Sequence, residues 1–98
     1  MLTHIVIWKY RADVEQAVRD EHLARLRRLA SIIPGIERFH VGTDVLGLPR
    51  SYDTGLVAIF RDRAALDAYT IHPEHILVAD MGRHISQHVA SVDFLDEN

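Results

Sequence analysis

A length of 98 residues, a net charge of -3 and no cysteine describe one small domain, residues 1–98, and exclude disulfides, thiolate catalysis and cysteine zinc sites. The chain lacks the concentrated basic surface that a nucleic-acid partner requires. No apolar run approaches the roughly 20 residues of a membrane span, and no leader pattern opens the chain, so the expectation is a cytoplasmic protein with no membrane partner.

Thr3 to Tyr10 is β-branched and aromatic and reads as a first strand. His4, Val6, Trp8 and Tyr10 fall on one side and Ile5 and Ile7 on the other, so both faces are apolar. Asp13 and Gln16 resemble a capping box that opens a helix to about Ile33. Val18, His22, Leu26, Leu29 and Ile33 form its apolar stripe. Acids (Glu15, Asp20, Glu21) come early and arginines (Arg25, Arg27, Arg28) late, an order that suits the helix dipole and accounts for the basic cluster without a phosphate site. Pro34-Gly35 stops the helix.

A second strand runs from Ile36 to Thr43, with Phe39 and Val41 inward. Asp44 to Ser51 reads as a loop. Tyr52 to Phe60 is a third strand with the apolar run Leu56 to Phe60. Asp62 caps a helix over Arg63 to Ile71. Pro73 pushes His72 out of the helical region and begins a further helix to about Met81, which Gly82 closes. Gln87 to Leu95 is the last strand, and Asp96-Glu97-Asn98 is a polar tail.

The order is β-α-β-β-α-β with the second helical region broken in two. It predicts an α+β, ferredoxin-like fold with a four-stranded antiparallel sheet. Helices cover one face of such a sheet, yet the first and third strands are apolar on both. A bare apolar face of several hundred Å² is unexpected on a soluble monomer, so a homodimer packed through its sheet faces is predicted.

Chemistry concentrates in Tyr69 to His75. His75 is the candidate general base, because imidazole titrates near neutrality and can take a proton next to a carbonyl. Tyr69 is its candidate partner or a donor to a developing enolate oxygen. The bland alternative makes His75 a cap at the helix corner and Tyr69 a core residue. His72 reads as an N-cap, and His4 as either a buried hydrogen-bonded residue or a third wall of the same pocket. A pocket of ~300 Å³ or more beside Tyr69 and His75 is the expectation for a small ligand.

Seven histidines raise the question of a metal. His72 and His75 straddle a helix start, and His84 and His88 fall between Gly82 and a strand, so no metal is expected. His22 and His40 are assigned to surface or edge positions. No phosphate loop or Ser-His-Asp order appears, and no cofactor is expected.

Several motifs occur in a characteristic order: His4-Ile5-Val6 followed by an aromatic and a lysine, Ile33-Pro34-Gly35-Ile36, Tyr52-Asp53, Asp67-Ala68-Tyr69 and His72-Pro73-Glu74-His75. Together they resemble the stress-responsive α/β-barrel domain family (Dabb) of the dimeric α+β barrel superfamily, over nearly the whole chain. The resemblance implies a homodimer whose two sheets pack into a barrel. Most such proteins have no assigned reaction, and plant relatives include stress-induced, unusually stable proteins. One plant branch holds polyketide cyclases that close a poly-β-keto chain by an aldol reaction without a cofactor. Their cooperating tyrosine and histidine fall on Tyr69 and His75, and a first-strand histidine falls on His4. A further pocket histidine falls on or near Thr54, where this chain has none.

Two functions follow as expectations. One is a cofactor-independent enzyme acting on a small hydrophobic carbonyl compound, with His75, Tyr69 and His4 at its site. The other is a non-catalytic ligand-binding or stress-protective homodimer.

Overall fold

The computed structural model describes residues 1–96; Glu97 and Asn98 of the expected polar tail lie outside the described residues. Its elements are β1 (Leu2–Tyr10), α1 (Gln16–Ile32), β2 (Ile36–Thr43), β3 (Thr54–Phe60), α2 (Arg63–Thr70), α3 (Pro73–Ile85) and β4 (Ser86–Leu95). The strands form one sheet in the order β2-β3-β1-β4, every neighbour antiparallel. This is the expected ferredoxin-like arrangement. No helix is long and apolar enough to cross a membrane.

Strand alternation divides the sheet into two faces. On one, Leu2, Trp8 and Tyr10 of β1 and Leu56, Ala58 and Phe60 of β3 are buried beneath the helices, which add Leu26, Leu29, Tyr69, Val78 and Ile85. On the other, the register aligns Ile5 with Val57 and Val92, and Thr3 with Ile59 and Phe94. Nothing among the described residues covers this second face: Val92 is 53% exposed and Phe94 47%.

Five local expectations are corrected. Asp13 does not cap α1. The helix opens later, with Glu15 at its N-cap and no side-chain cap, while the Asp13 carboxylate accepts from Arg11 Nε at 3.1 Å. A tight turn causes this, its Val14 N–H bonded to the Arg11 carbonyl at 3.1 Å. The arginines of α1 do not reach its last turn; Glu21 holds Arg25 at 2.9 Å and Arg28 at 3.8 Å, a pairing along the helix face rather than a dipole effect. Third, β3 starts at Thr54 rather than Tyr52; Asp53, just ahead of it, accepts from the Tyr10 backbone N–H on its side chain at 2.8 Å.

The last two corrections concern Gly82 and His22. Gly82 does not end α3, which runs to Ile85 and passes into β4 with no loop. A Cβ on Gly82 would stand 2.7 Å from Trp8 Nε1 and 3.0 Å from His22 Nε2, so the glycine serves close packing rather than a stop. His22 is not at the surface but fully buried, at 0% exposure, between the Trp8 and Tyr10 rings. His40 lies on the edge strand β2, as expected.

Candidate functional site at the helix corner

The Tyr69–His75 corner is built by local chemistry. Asp62 caps α2 by accepting from the Ala65 N–H at 2.9 Å. The helix ends at Ile71, and His72, extended ahead of Pro73, caps α3 by accepting the Glu74 N–H on Nδ1 at 3.1 Å. The cap role expected of His72 is therefore observed. The corner leaves Tyr69, at 1% exposure, and His75 with ring centroids 4.3 Å apart.

His75 Nδ1 lies 3.0 Å from the Thr70 carbonyl oxygen. A carbonyl only accepts, so Nδ1 carries the proton and Nε2 of the neutral ring holds a free lone pair. Burial pushes the His75 pKa below its usual value, and the charges of His4, Arg83 and His72 add to this, against an opposing effect of the Thr70 bond. The ring is thus neutral at physiological pH. Burial raises the Tyr69 pKa, so its phenol stays protonated and can donate.

His4 joins them from β1, its ring centroid 6.0 Å from that of Tyr69. The strand register places it opposite Asp93 of β4, and the Asp93 carboxylate accepts from His4 Nδ1. A carboxylate on one imidazole nitrogen sets the tautomer and the orientation of the other. Sequence reasoning missed Asp93. Its signal was an acid between Val92 and Phe94 in the last strand, but its partner depends on the register of β1 against β4.

His4, Tyr69 and His75 line one cavity of about 170 Å³ between sheet and helices, with Val6, Trp8, Leu26, Leu56, Ala79, Arg83, Val89 and Ser91. It is smaller than the expected ~300 Å³. Larger hollows lie elsewhere. One of about 560 Å³ sits on the uncovered sheet face and one of about 380 Å³ between α1 and the β2–β3 loop. Neither contains His4, Tyr69 or His75.

Thr54 is the position at which a further histidine was sought. Here the Tyr10 hydroxyl donates to Thr54 Oγ1 at 2.9 Å and meets His22 Nδ1 at 2.7 Å. An imidazole does share the Tyr10 hydroxyl with Thr54, but it arrives from α1. Burial holds the His22 pKa down at about 4, so this ring is neutral. Its Nε2 has no hydrogen-bond partner among the described residues. Among these residues, no three His, Asp or Glu side chains gather into a group that could hold a metal ion.

Comparison with known proteins agrees with this architecture. The chain is similar to olivetolic acid cyclase of Cannabis sativa, 23% identical over 93 residues that span 93% of this chain and 92% of that protein. A dimeric ferredoxin-like protein of unknown function from Thermobifida fusca superposes with a TM-score of 0.88 at 21% identity, covering 97% of this chain and 90% of the other. A dimeric ferredoxin-like protein of unknown function from Jannaschia does so with a TM-score of 0.82 at 29% identity, covering 97% and 98%. Hydroxynitrile lyase from Passiflora edulis gives 0.86 at 18% identity, covering 99% and 94%. The family model of the stress responsive A/B barrel domain matches residues 2–96. With that match spanning nearly the whole chain, this protein belongs to the stress-responsive A/B barrel domain (Dabb) family.

Proposed function

We propose that this chain is a homodimeric, cofactor-independent protein that binds a small hydrophobic carbonyl compound beside His75 and moves a proton on it. The observation that carries this reading is the Thr70 bond to His75 Nδ1, which frees Nε2 as a base in a cavity shared with a protonated Tyr69. His75 Nε2 would take a proton from the carbon next to the carbonyl. The C–H electron pair moves into an enolate, whose oxygen receives a hydrogen bond from the Tyr69 hydroxyl. The enolate carbon can then attack a second carbonyl, and His75 returns its proton to the new alkoxide. His4, held by Asp93, lines the same cavity and supplies a second imidazole for that transfer. A cyclase among sequence relatives and a lyase among proteins of this shape support a cyclase- or lyase-like reaction class.

The test is deuterium uptake at the α-carbon of small ketones and aldehydes in D2O, followed by proton NMR. Wild type should accelerate exchange and His75→Ala should not. Equal exchange in both would sink the reading. A thermal-shift screen of the same compounds supplies the binding half.

The second reading is a non-catalytic ligand-binding or stress-protective homodimer. The small cavity favours it, since about 170 Å³ leaves little room for two reacting groups. Compounds that shift the melting temperature without any deuterium exchange would select it. Both readings need the dimer, which rests on the uncovered face of Ile5, Val57, Val92 and Phe94 and on the dimeric proteins of like fold.

A further inference from the structure

The cavity beside His75 has a buried apolar end and an open end. Trp8, Leu26, Leu56 and Tyr69 wall the first, all of them buried. Val89, Ser91 and Arg83 rim the second, all of them exposed. The sheet order accounts for the opening. β4 is an edge strand, and its register sets Val89 opposite Trp8 and Ser91 opposite Val6 on the helix side of the sheet. Both side chains stay exposed there, because the helices do not reach over this edge.

α3 runs from the inner chemistry to the rim. His75, Ala79 and Arg83 are four residues apart and share one face of the helix, and all three line the cavity. The small Ala79 side chain leaves space between the other two. Eight residues of helix span roughly 12 Å, and a helical arginine shortens this by leaning toward the N-terminus. A short molecule can therefore touch both His75 and the guanidinium. The charges point the same way. Among the described residues that line the cavity, Arg83 carries the one permanent charge. The charges that act on His75 are those of His4, Arg83 and His72, all of them basic.

Arg83 has a partner in the free protein. Its Nη2 donates to Asp80, one turn back on α3. Both side chains are exposed, at 66% and 62%, and a surface pair of this kind contributes little to stability. Arg83 Nε and Nη1 have no hydrogen-bond partner among the described residues. The nearby acid Asp93 accepts from His4 and does not line the cavity. A cation in the last turn of α3 suits the helix dipole, but His84 stands in the same turn and does not line the cavity.

We propose that Arg83 receives a carboxylate at the cavity rim, and that the ligand of the His75 site is accordingly a short oxo acid. Its apolar part lies among Trp8, Leu26 and Leu56, its carbonyl beside His75 and Tyr69, and its carboxylate on the guanidinium at the solvent edge. The planar edge of a guanidinium matches a carboxylate with two parallel hydrogen bonds. The ligand carboxylate displaces Asp80 or shares the guanidinium with it. The proposal rests on the His75 cavity being a ligand site.

The test uses two isomeric oxo acids, 2-oxo-4-phenylbutanoate and 4-oxo-4-phenylbutanoate, which differ in the spacing of carbonyl and carboxylate. Their neutral counterparts are 4-phenylbutan-2-one and 1-phenylbutan-1-one. Binding is read from chemical-shift changes of the His75 ring and of neighbouring amides. Wild type should bind at least one oxo acid about tenfold more tightly than its neutral counterpart. Arg83→Gln should abolish that preference and leave the ketones within about twofold of their wild-type affinity. Asp80→Asn, which removes the competing carboxylate, should tighten the oxo acid by about threefold. Both positions are exposed, so neither variant disturbs the core. If none of the four compounds perturbs the site in wild type, the cavity reading falls and the proposal with it. If the ketones bind and neither oxo acid binds more tightly, the cavity reading stands and the proposal is refuted. An oxo-acid preference that survives in Arg83→Gln, or that Asp80→Asn fails to raise, refutes Arg83 as the receiving group.

Discussion

His4 and Asp93 face each other across the β1–β4 ladder, and the Asp93 carboxylate accepts the proton-bearing Nδ1 of the imidazole. The pair is unequal: the His4 side chain is 14% exposed and that of Asp93 41%. The carboxylate therefore stands on the solvent side of the pair and the ring on the cavity side. In Asp93→Ala the ladder keeps its backbone bonds, so the loss of stability should be small, roughly 1 kcal/mol. The expected change is in the ring. Nitrogen-15 NMR of wild type should show His4 protonated on Nδ1, and the variant should show the Nε2 tautomer, the commoner form of an unrestrained imidazole. An unchanged tautomer would mean that Asp93 does not orient His4.

Tyr69→Phe isolates one hydroxyl. That hydroxyl makes no side-chain hydrogen bond among the described residues, whereas its ring packs on Phe60 at 5.1 Å and on His75 at 4.3 Å. Stability should hold within about 1 kcal/mol, because no buried partner is orphaned. Deuterium exchange should fall by about a hundredfold if the phenol supports an enolate. Full exchange in a folded Tyr69→Phe would make the residue core alone.

His22 supplies a pH dependence. Its pKa is held at about 4 in the folded chain, against an ordinary 6.5, because burial disfavours the charged ring. Between these values the unfolded chain binds the extra proton and the folded chain does not. Stability is thus complete above about pH 6.5 and declines as pH falls toward 4, by roughly 3 kcal/mol at most. Chemical denaturation at pH 7 and pH 4.5 checks this. His22→Gln, which cannot protonate, should lose much of that slope.

Gly82→Ala would be stabilising on an exposed helix, by up to about 1 kcal/mol. Here the added methyl meets Trp8 Nε1 at 2.7 Å, and overpacking of this kind costs about 1–3 kcal/mol. The melting temperature should therefore drop by several degrees. A rise would show that α3 does not lie so close to the rings.

Val92→Glu places a charge on the uncovered sheet face, where Val92 is 53% exposed. A dimer joined through this face has to bury that carboxylate without a partner. Light scattering should show wild type as a dimer at micromolar concentration and the variant as an 11.2 kDa monomer. Two dimers would move the interface elsewhere, and a monomeric wild type would refute the dimer.

The sequence was most legible where a signal is local. Asp62, His72 and Pro73 announce caps and a corner within a few residues, and each is found in that role. The apolar character of both faces of β1 likewise needs only alternation. Legibility failed where a residue's meaning depends on a distant neighbour. Gly82 reads as a stop until Trp8 and His22 are seen against it. His22 reads as a surface residue until Tyr10 arrives from another element. Asp93 acquires a partner only through the β1–β4 register. The true size of the cavity was hidden for the same reason, since its lining is assembled from β1, β3, β4 and all three helices.

The direct junction of α3 and β4 at Ile85–Ser86 leaves no spare residue between them. β4 sends Ser91 toward the cavity and Val92 toward the uncovered face. Inserting or deleting one residue in β4 would exchange these two sets, turning the acid that holds His4 outward and the apolar side chains inward. No loop stands at this junction to absorb such a slip; one extra residue is already taken up there, where Lys9 pairs with His88 and Tyr10 with Ser86. Beyond that bulge, substitution disturbs β4 less than a change of length, because its cavity face and its uncovered face are set by one register.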